Sequence, residues 1–127
     1  MPSRLGPRDR GSSSVEVVVL LPVVLLLVFA MVQAFLYFHA RSVALSAAEE
    51  GARVAAAENS TAGAGIAAAT SFVTAAGEDV VLNLTVTGSR SATTATVTVT
   101  GHAQDLVPFF DLPVVQSASF PIERITG

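Results

Sequence analysis

Val17-Val18-Val19-Leu20-Leu21-Pro22-Val23-Val24-Leu25-Leu26-Leu27-Val28-Phe29-Ala30-Met31-Val32-Gln33-Ala34-Phe35-Leu36-Tyr37-Phe38 carries no charged side chain, and the rest of the chain is read outward from it. At ~1.5 Å rise per residue a helix of this run measures about 33 Å, enough to cross a hydrocarbon core of roughly 30 Å. The run predicts a membrane span over about 17–38. Arg4, Arg8 and Arg10 precede it against a single Asp9, whereas Arg41 and then Glu49 and Glu50 follow it. Basic excess marks the side that stays in the cytoplasm. The expected topology is single-pass in the cytoplasmic (inner) membrane, with residues 1–11 as a cytoplasmic basic leader and the C-terminal part extracytoplasmic.

A cleavable secretory signal is the competing reading, with Val32-Gln33-Ala34 as a small-residue cleavage site. Against it, the apolar run continues through Phe35, Leu36 and Phe38, and Glu16 stands where a signal's apolar region would begin. An acid at the edge of the bilayer core is disfavoured by up to about 3 kcal/mol, depending on depth. Glu16 therefore needs headgroup water, the free N–H groups of a helix start, or a partner.

Composition narrows the classes. Of 127 residues 51% are hydrophobic and 13% charged, against roughly 25% charged in an average soluble domain. Beyond Asn59 the remaining length allows one small domain, whose core is marginal without partners or staples. The absence of cysteine rules out disulfides and Cys-based metal sites. A net charge of -3 leaves no basic surface for phosphate neutralisation, so nucleic acid is not expected as a partner.

Arg10-Gly11-Ser12-Ser13-Ser14-Val15-Glu16 before a long apolar helix resembles the processing site of type IV prepilins. That resemblance implies cleavage between Gly11 and Ser12 by a prepilin peptidase. It also implies pairing of Glu16 with the new amino group at Ser12 of a neighbouring subunit. Val15, Pro22 and Ala47-Ala48-Glu49-Glu50-Gly51-Ala52-Arg53-Val54-Ala55 extend the likeness to the TadE-like pseudopilins of the Tad (Flp) pilus machinery, over roughly residues 10 to 57. For this chain the resemblance implies a structural minor pilin or pseudopilin that takes part in pilus assembly for surface adhesion. Its implied partners are the membrane, other pilin or pseudopilin subunits, the assembly platform and the peptidase. It singles out Glu50, Gly51 and Arg53, with Pro22, as possible subunit contacts.

Between Ala40 and Ala57 there is no proline, and strong helix formers predominate. The membrane helix is expected to continue as a stalk, from about Ser14 to Ala57, within a segment 12–57. Ala40, Ala44, Ala48, Ala52 and Ala56 fall at i, i+4, beside a second row of Ala47, Gly51 and Ala55. Rows of small residues allow close approach of another helix. Glu49 and Arg53 stand four apart in the favourable order for a helical ion pair. Pro22 removes one helical hydrogen bond and favours a kink.

Residues 58–127 read as a small extracytoplasmic head. Asn59 to Gly65 is rich in turn residues and is expected to be a loop. Ile66, Ala69, Val73 and Ala76 recur at helical spacing up to Gly77, a candidate C-terminal cap. Then Val80, Leu82, Leu84 and Val86 alternate with Val81, Asn83, Thr85 and Thr87, as in a half-buried strand. Gly88-Ser89-Arg90-Ser91 is the expected turn, followed by Ala95, Val97 and Val99 against Thr94, Thr96, Thr98 and Thr100. Ala118, Phe120 and Ile122 opposite Ser117 and Ser119 predict a third strand. The fold class expected is α+β: a long transmembrane and stalk helix, then one short helix and an antiparallel sheet of about three strands. The apolar loop Val107-Pro108-Phe109-Phe110-Asp111-Leu112-Pro113 either folds onto the core or contacts a partner or the membrane surface.

The chemical inventory is thin. His39 and His102 are isolated and do not space as metal ligands. Ser12, Ser13 and Ser14 lack the glycine elbow of a nucleophile. Asn59-Ser60-Thr61 and Asn83-Leu84-Thr85 match the glycosylation pattern formally, as short chance patterns do. No enzyme, cofactor or metal is expected. The alternative to a pilin-like subunit is a membrane-anchored binding module whose head recognises a ligand, with no prepilin processing.

Overall fold

The structure, a computed structural model, describes residues 7–106 and 111–123 of the chain, with side chains from Ser14 onward. Of the apolar loop, Val107 to Phe110 lie outside the described residues. Two helices precede three strands: α1 (Pro7–Ala56), α2 (Ala62–Ala76), β1 (Val81–Arg90), β2 (Thr94–Ala103) and β3 (Pro113–Pro121). The α+β class stands. The chain divides into two units, Met1–Val32 and Gln33–Gly127.

The described residues of the first unit are all helical. Helix α1 begins at Pro7, earlier than the expected Ser14, and a proline at the first helical position carries its fixed φ at no hydrogen-bond cost. It continues through Pro22 without a break in assignment. Every described side chain from Ser14 to Val32 is exposed.

In the second unit, residues 40–56 of α1 and helix α2 cover one face of an antiparallel sheet of order β1-β2-β3. Ala40, Ala44, Ala48, Ala52 and Ala56, and the second row Ala47 and Ala55, are all buried. Those rows are consumed by the chain's own head. Methyl-sized side chains let the helix lie close to the sheet, and the largest fully buried side chains there are only Val97, Val99 and Val114. Helix α2 starts at Ala62, inside the expected loop, because the Thr61 hydroxyl caps it by accepting from the Ala64 amide at 3.1 Å. It ends at Gly77, whose φ of 137° suits glycine. Of the predicted apolar stripe Ala69 and Val73 are buried, while Ala76 is exposed.

Two sheet expectations change. Val81, placed by strict alternation on the outward face, is buried at 3% exposure. The cause is a bulge: pairing steps from Leu82↔His102 to Thr85↔Thr100, with Asn83 at φ 52°. The extra residue turns the strand, so Val81 joins Leu84 and Val86 against the core. Opposite the bulge, a Cβ at Gly101 would stand 2.4 Å from Val81 Cγ1 and 2.8 Å from the Leu82 carbonyl oxygen. Gly101→Val is expected to destabilise the head by about 1–3 kcal/mol, read as a lowered midpoint of its denaturant unfolding; an unchanged midpoint contradicts this packing.

The hairpin turn lies at Ser91–Thr94 rather than Gly88–Ser91. There the Ser91 amide donates to the Thr94 carbonyl at 2.8 Å, and the Ser91 hydroxyl accepts from the Thr94 amide at 3.0 Å. Gly88 instead remains in β1 opposite Val97, where Ile66 of α2 crosses it closely. The third strand has the expected parity, and its outward hydroxyls bond across to β2: Thr96 to Ser119 at 2.8 Å and Thr98 to Ser117 at 3.0 Å. Just past β3 the Glu123 amide donates to the Ala56 carbonyl at 2.9 Å, tying that end of the strand to α1.

Candidate functional site

The residues singled out by sequence fall into two separate groups. Gly11, Ser12, Glu16 and Pro22 belong to the first unit and to helix α1. Glu16 is exposed, and no hydrogen bond or ion pair reaches it among the described residues. Val15 and Val17 beside it are 64% and 60% exposed. A carboxylate here therefore begins a helical surface whose apolar side chains are exposed from Val17 to Val32. That surface is long and apolar enough to cross a membrane, which supports membrane anchoring.

Glu50, Gly51 and Arg53 belong to the second unit. Gly51, expected as a possible subunit contact, is buried within its own chain. A Cβ on it would meet the Gly65 carbonyl oxygen at 2.7 Å and Ala69 Cβ at 2.9 Å. Gly51 and Gly65 thus form the crossing point of α1 and α2. The helical ion pair joins Arg53 to Glu50, three residues away, rather than to Glu49. One turn of helix separates i from both i+3 and i+4, so spacing does not choose between them. With Arg53 mostly exposed, the pair contributes about 0.2–0.5 kcal/mol at most.

Glu49 is left free of that pair and exposed. It lines an open groove of about 320 Å³ together with Ser46, Glu50, Arg53, Phe72 of α2 and Phe120 of β3. Both phenylalanines are more than a third exposed. Two apolar rings around a carboxylate-rich helix face suit a protein contact more than a small-molecule reaction. Sequence periodicity does not single out Phe72, which lies beside the apolar stripe of α2, and it places Phe120 only on the apolar side of the third strand with Ala118 and Ile122. Phe120 keeps the predicted side of the strand but stands near the end of an edge strand, where no further element covers it among the described residues.

Apart from the competing signal-cleavage reading of Val32-Gln33-Ala34, no sequence pattern assigns a role to Gln33. The residue is 6% exposed, and its side-chain amide uses both ends: Nε2 donates to the Gln104 carbonyl at 3.1 Å, and Oε1 accepts from the Leu106 amide at 2.8 Å. A lone amide inside an uncharged apolar run is the signal that could have found it, since such a group needs partners when buried. The two histidines remain apart. His39 stacks on Phe35 with ring centroids 5.8 Å apart, and His102 Nε2 stands 3.5 Å from an Asp111 carboxylate oxygen. Among the described residues no cluster of three or more metal-ligating side chains forms.

Comparison with known proteins adds one finding. Residues 11–53 match the model of a family described as TadE-like protein. No curated protein and no solved structure matches the chain.

Proposed function

Because residues 11–53 are TadE-like, we propose that this chain is a structural minor pilin or pseudopilin of a Tad/Flp-type pilus assembly system. It sits in the cytoplasmic membrane with its N-terminus inside and its head outside. A prepilin peptidase cuts it between Gly11 and Ser12, and Glu16 then pairs with the Ser12 amine of a neighbouring subunit. The observation that carries this reading is the bare apolar face of α1 headed by a carboxylate that has no partner among the described residues. A buried carboxylate is tolerated only when paired, and a pair in low dielectric loses several kcal/mol if one member is removed. Pilin-like association supplies both the cover for the apolar face and the counter-charge.

On this reading the groove lined by Glu49, Phe72 and Phe120 is the head's contact with a subunit or with the assembly platform. The reading is structural rather than catalytic. N-terminal sequencing of protein isolated from membranes is expected to begin at Ser12. A start at Phe35 would reveal a secretory signal, and an intact leader would leave a membrane-anchored module without processing; either result overturns the prepilin step.

A further inference from the structure

The apolar run continues to Phe38, but the pattern of burial changes well before it. Up to Val32 every described side chain is exposed; from Gln33 onward Gln33, Ala40, Val43, Ala44, Ala47 and Ala48 are buried by the head. At Gln33 the loop after β2 is bonded to the helix through the backbone of Gln104 and Leu106. That loop includes Asp105, which is exposed. Irregular backbone and a free carboxylate are not accommodated facing lipid inside the hydrocarbon core. The core must end before them.

The side of the helix that the head leaves uncovered is largely apolar there, with exposed His39 stacked on Phe35. Phe35 is 66% and Phe38 58% exposed, and Leu106 on the latched loop is 45% exposed. Phe35 and Phe38 lie about 3 and 8 Å along the helix axis from Gln33, a span comparable with the roughly 5–8 Å interfacial layer on each side of a bilayer. Phe and Leu on the apolar face of an interfacial helix bury themselves at the headgroup–acyl boundary. Arg41, exposed on the next turn, is placed for the headgroups.

We propose that Phe35, Phe38 and Leu106, held together by the Gln33 latch, form a lipid-contacting collar on which the head rests at the headgroup–acyl boundary. The hydrocarbon span then ends at Val32 rather than Phe38. From Val17 to Val32 the helix measures about 24 Å, some 6 Å short of an average core. Such mismatch thins the bilayer locally or favours helix association. This inference rests on the membrane anchor but not on prepilin processing.

The chain has no cysteine, so single-cysteine variants of the full chain report position without background. Val24→Cys, Phe35→Cys, Leu106→Cys and Ser89→Cys, each carrying an environment-sensitive fluorophore, are reconstituted in phosphatidylethanolamine–phosphatidylglycerol vesicles. Quenching by shallow or deep nitroxide-labelled lipids is compared with quenching by aqueous iodide. The collar requires deep-lipid quenching at 24, shallow-lipid quenching at both 35 and 106, and iodide quenching at 89 severalfold stronger than at 106. Iodide access at 106 equal to that at 89 overturns the collar while leaving the anchor intact; iodide access at 24 overturns both. In a Gln33→Ala background the label at 106 is expected to move into water while that at 35 stays in lipid. A label at 106 that stays in lipid overturns the latch, and the measurement with Gln33 present stands whether or not that background folds.

Discussion

Gly65→Leu is expected to unfold the head while leaving the membrane anchor inserted. Even a single Cβ at Gly65 would stand 2.5 Å from the Gly51 carbonyl oxygen and 2.6 Å from Ala55 Cβ, so backbone and not merely a flexible side chain must move. Overpacking of this kind typically costs about 1–3 kcal/mol, and a larger side chain more. The gain in helix propensity on replacing glycine returns only about 1 kcal/mol. The head has little to draw on. Its fully buried side chains do not exceed valine, and a core in a unit this small rarely supplies more than ~3–5 kcal/mol. The measurement is limited proteolysis and circular dichroism of the membrane-reconstituted chain, with loss of strand signal and rapid cleavage beyond residue 56. Gly63→Leu is the control, because Gly63 is exposed and a Cβ there meets nothing nearer than Thr61 Oγ1 at 3.8 Å. Equal protection of the two variants would refute the Gly51–Gly65 crossing.

Glu16→Ala carries the second large effect, on association and not on folding. Glu16 touches nothing in its own chain that the described residues record, so its removal leaves the head's core as it was. Insertion becomes easier, since an acid near the apolar core costs up to about 3 kcal/mol. If the carboxylate pairs with a neighbour's Ser12 amine, the substitution leaves that amine buried and alone at a cost of about 3–5 kcal/mol. That corresponds to roughly a hundredfold to several-thousandfold weaker association. Co-purification of tagged with untagged copies from detergent-solubilised membranes measures it, with membrane yield as the insertion control. Undiminished co-purification would sink the pairing model. Glu16→Gln separates charge from shape: it keeps the size and loses the ion pair, and is expected to behave like the alanine variant.

Features that depend on neighbours along the chain are legible in the order of the amino acids. The uncharged run from Val17, the helix up to Gly77 and the alternating Thr/Val strands each carry their own period, and each appears as an element. The Glu16 site is of the same kind, a local spacing from Gly11. Boundaries that rest on one glycine are less secure. Gly63 and Gly65 suggest a loop and Gly88 a turn, yet Gly65 and Gly88 serve close packing between elements.

By itself the sequence determined an apolar anchor, a small α+β head and the carboxylate at the start of the helix, because charge, hydropathy and periodicity are properties of the chain taken locally. Tertiary structure alone decided what covers each face. An alanine row permits close packing against a helix or a sheet, of the same chain or another, and only the fold assigns it to this chain's own sheet and α2. The bulge at Asn83 reverses Val81, an effect of strand pairing that no alternation pattern contains. Gln33 is bonded across more than seventy residues of sequence, and a contact of that separation is created by folding, not by spacing.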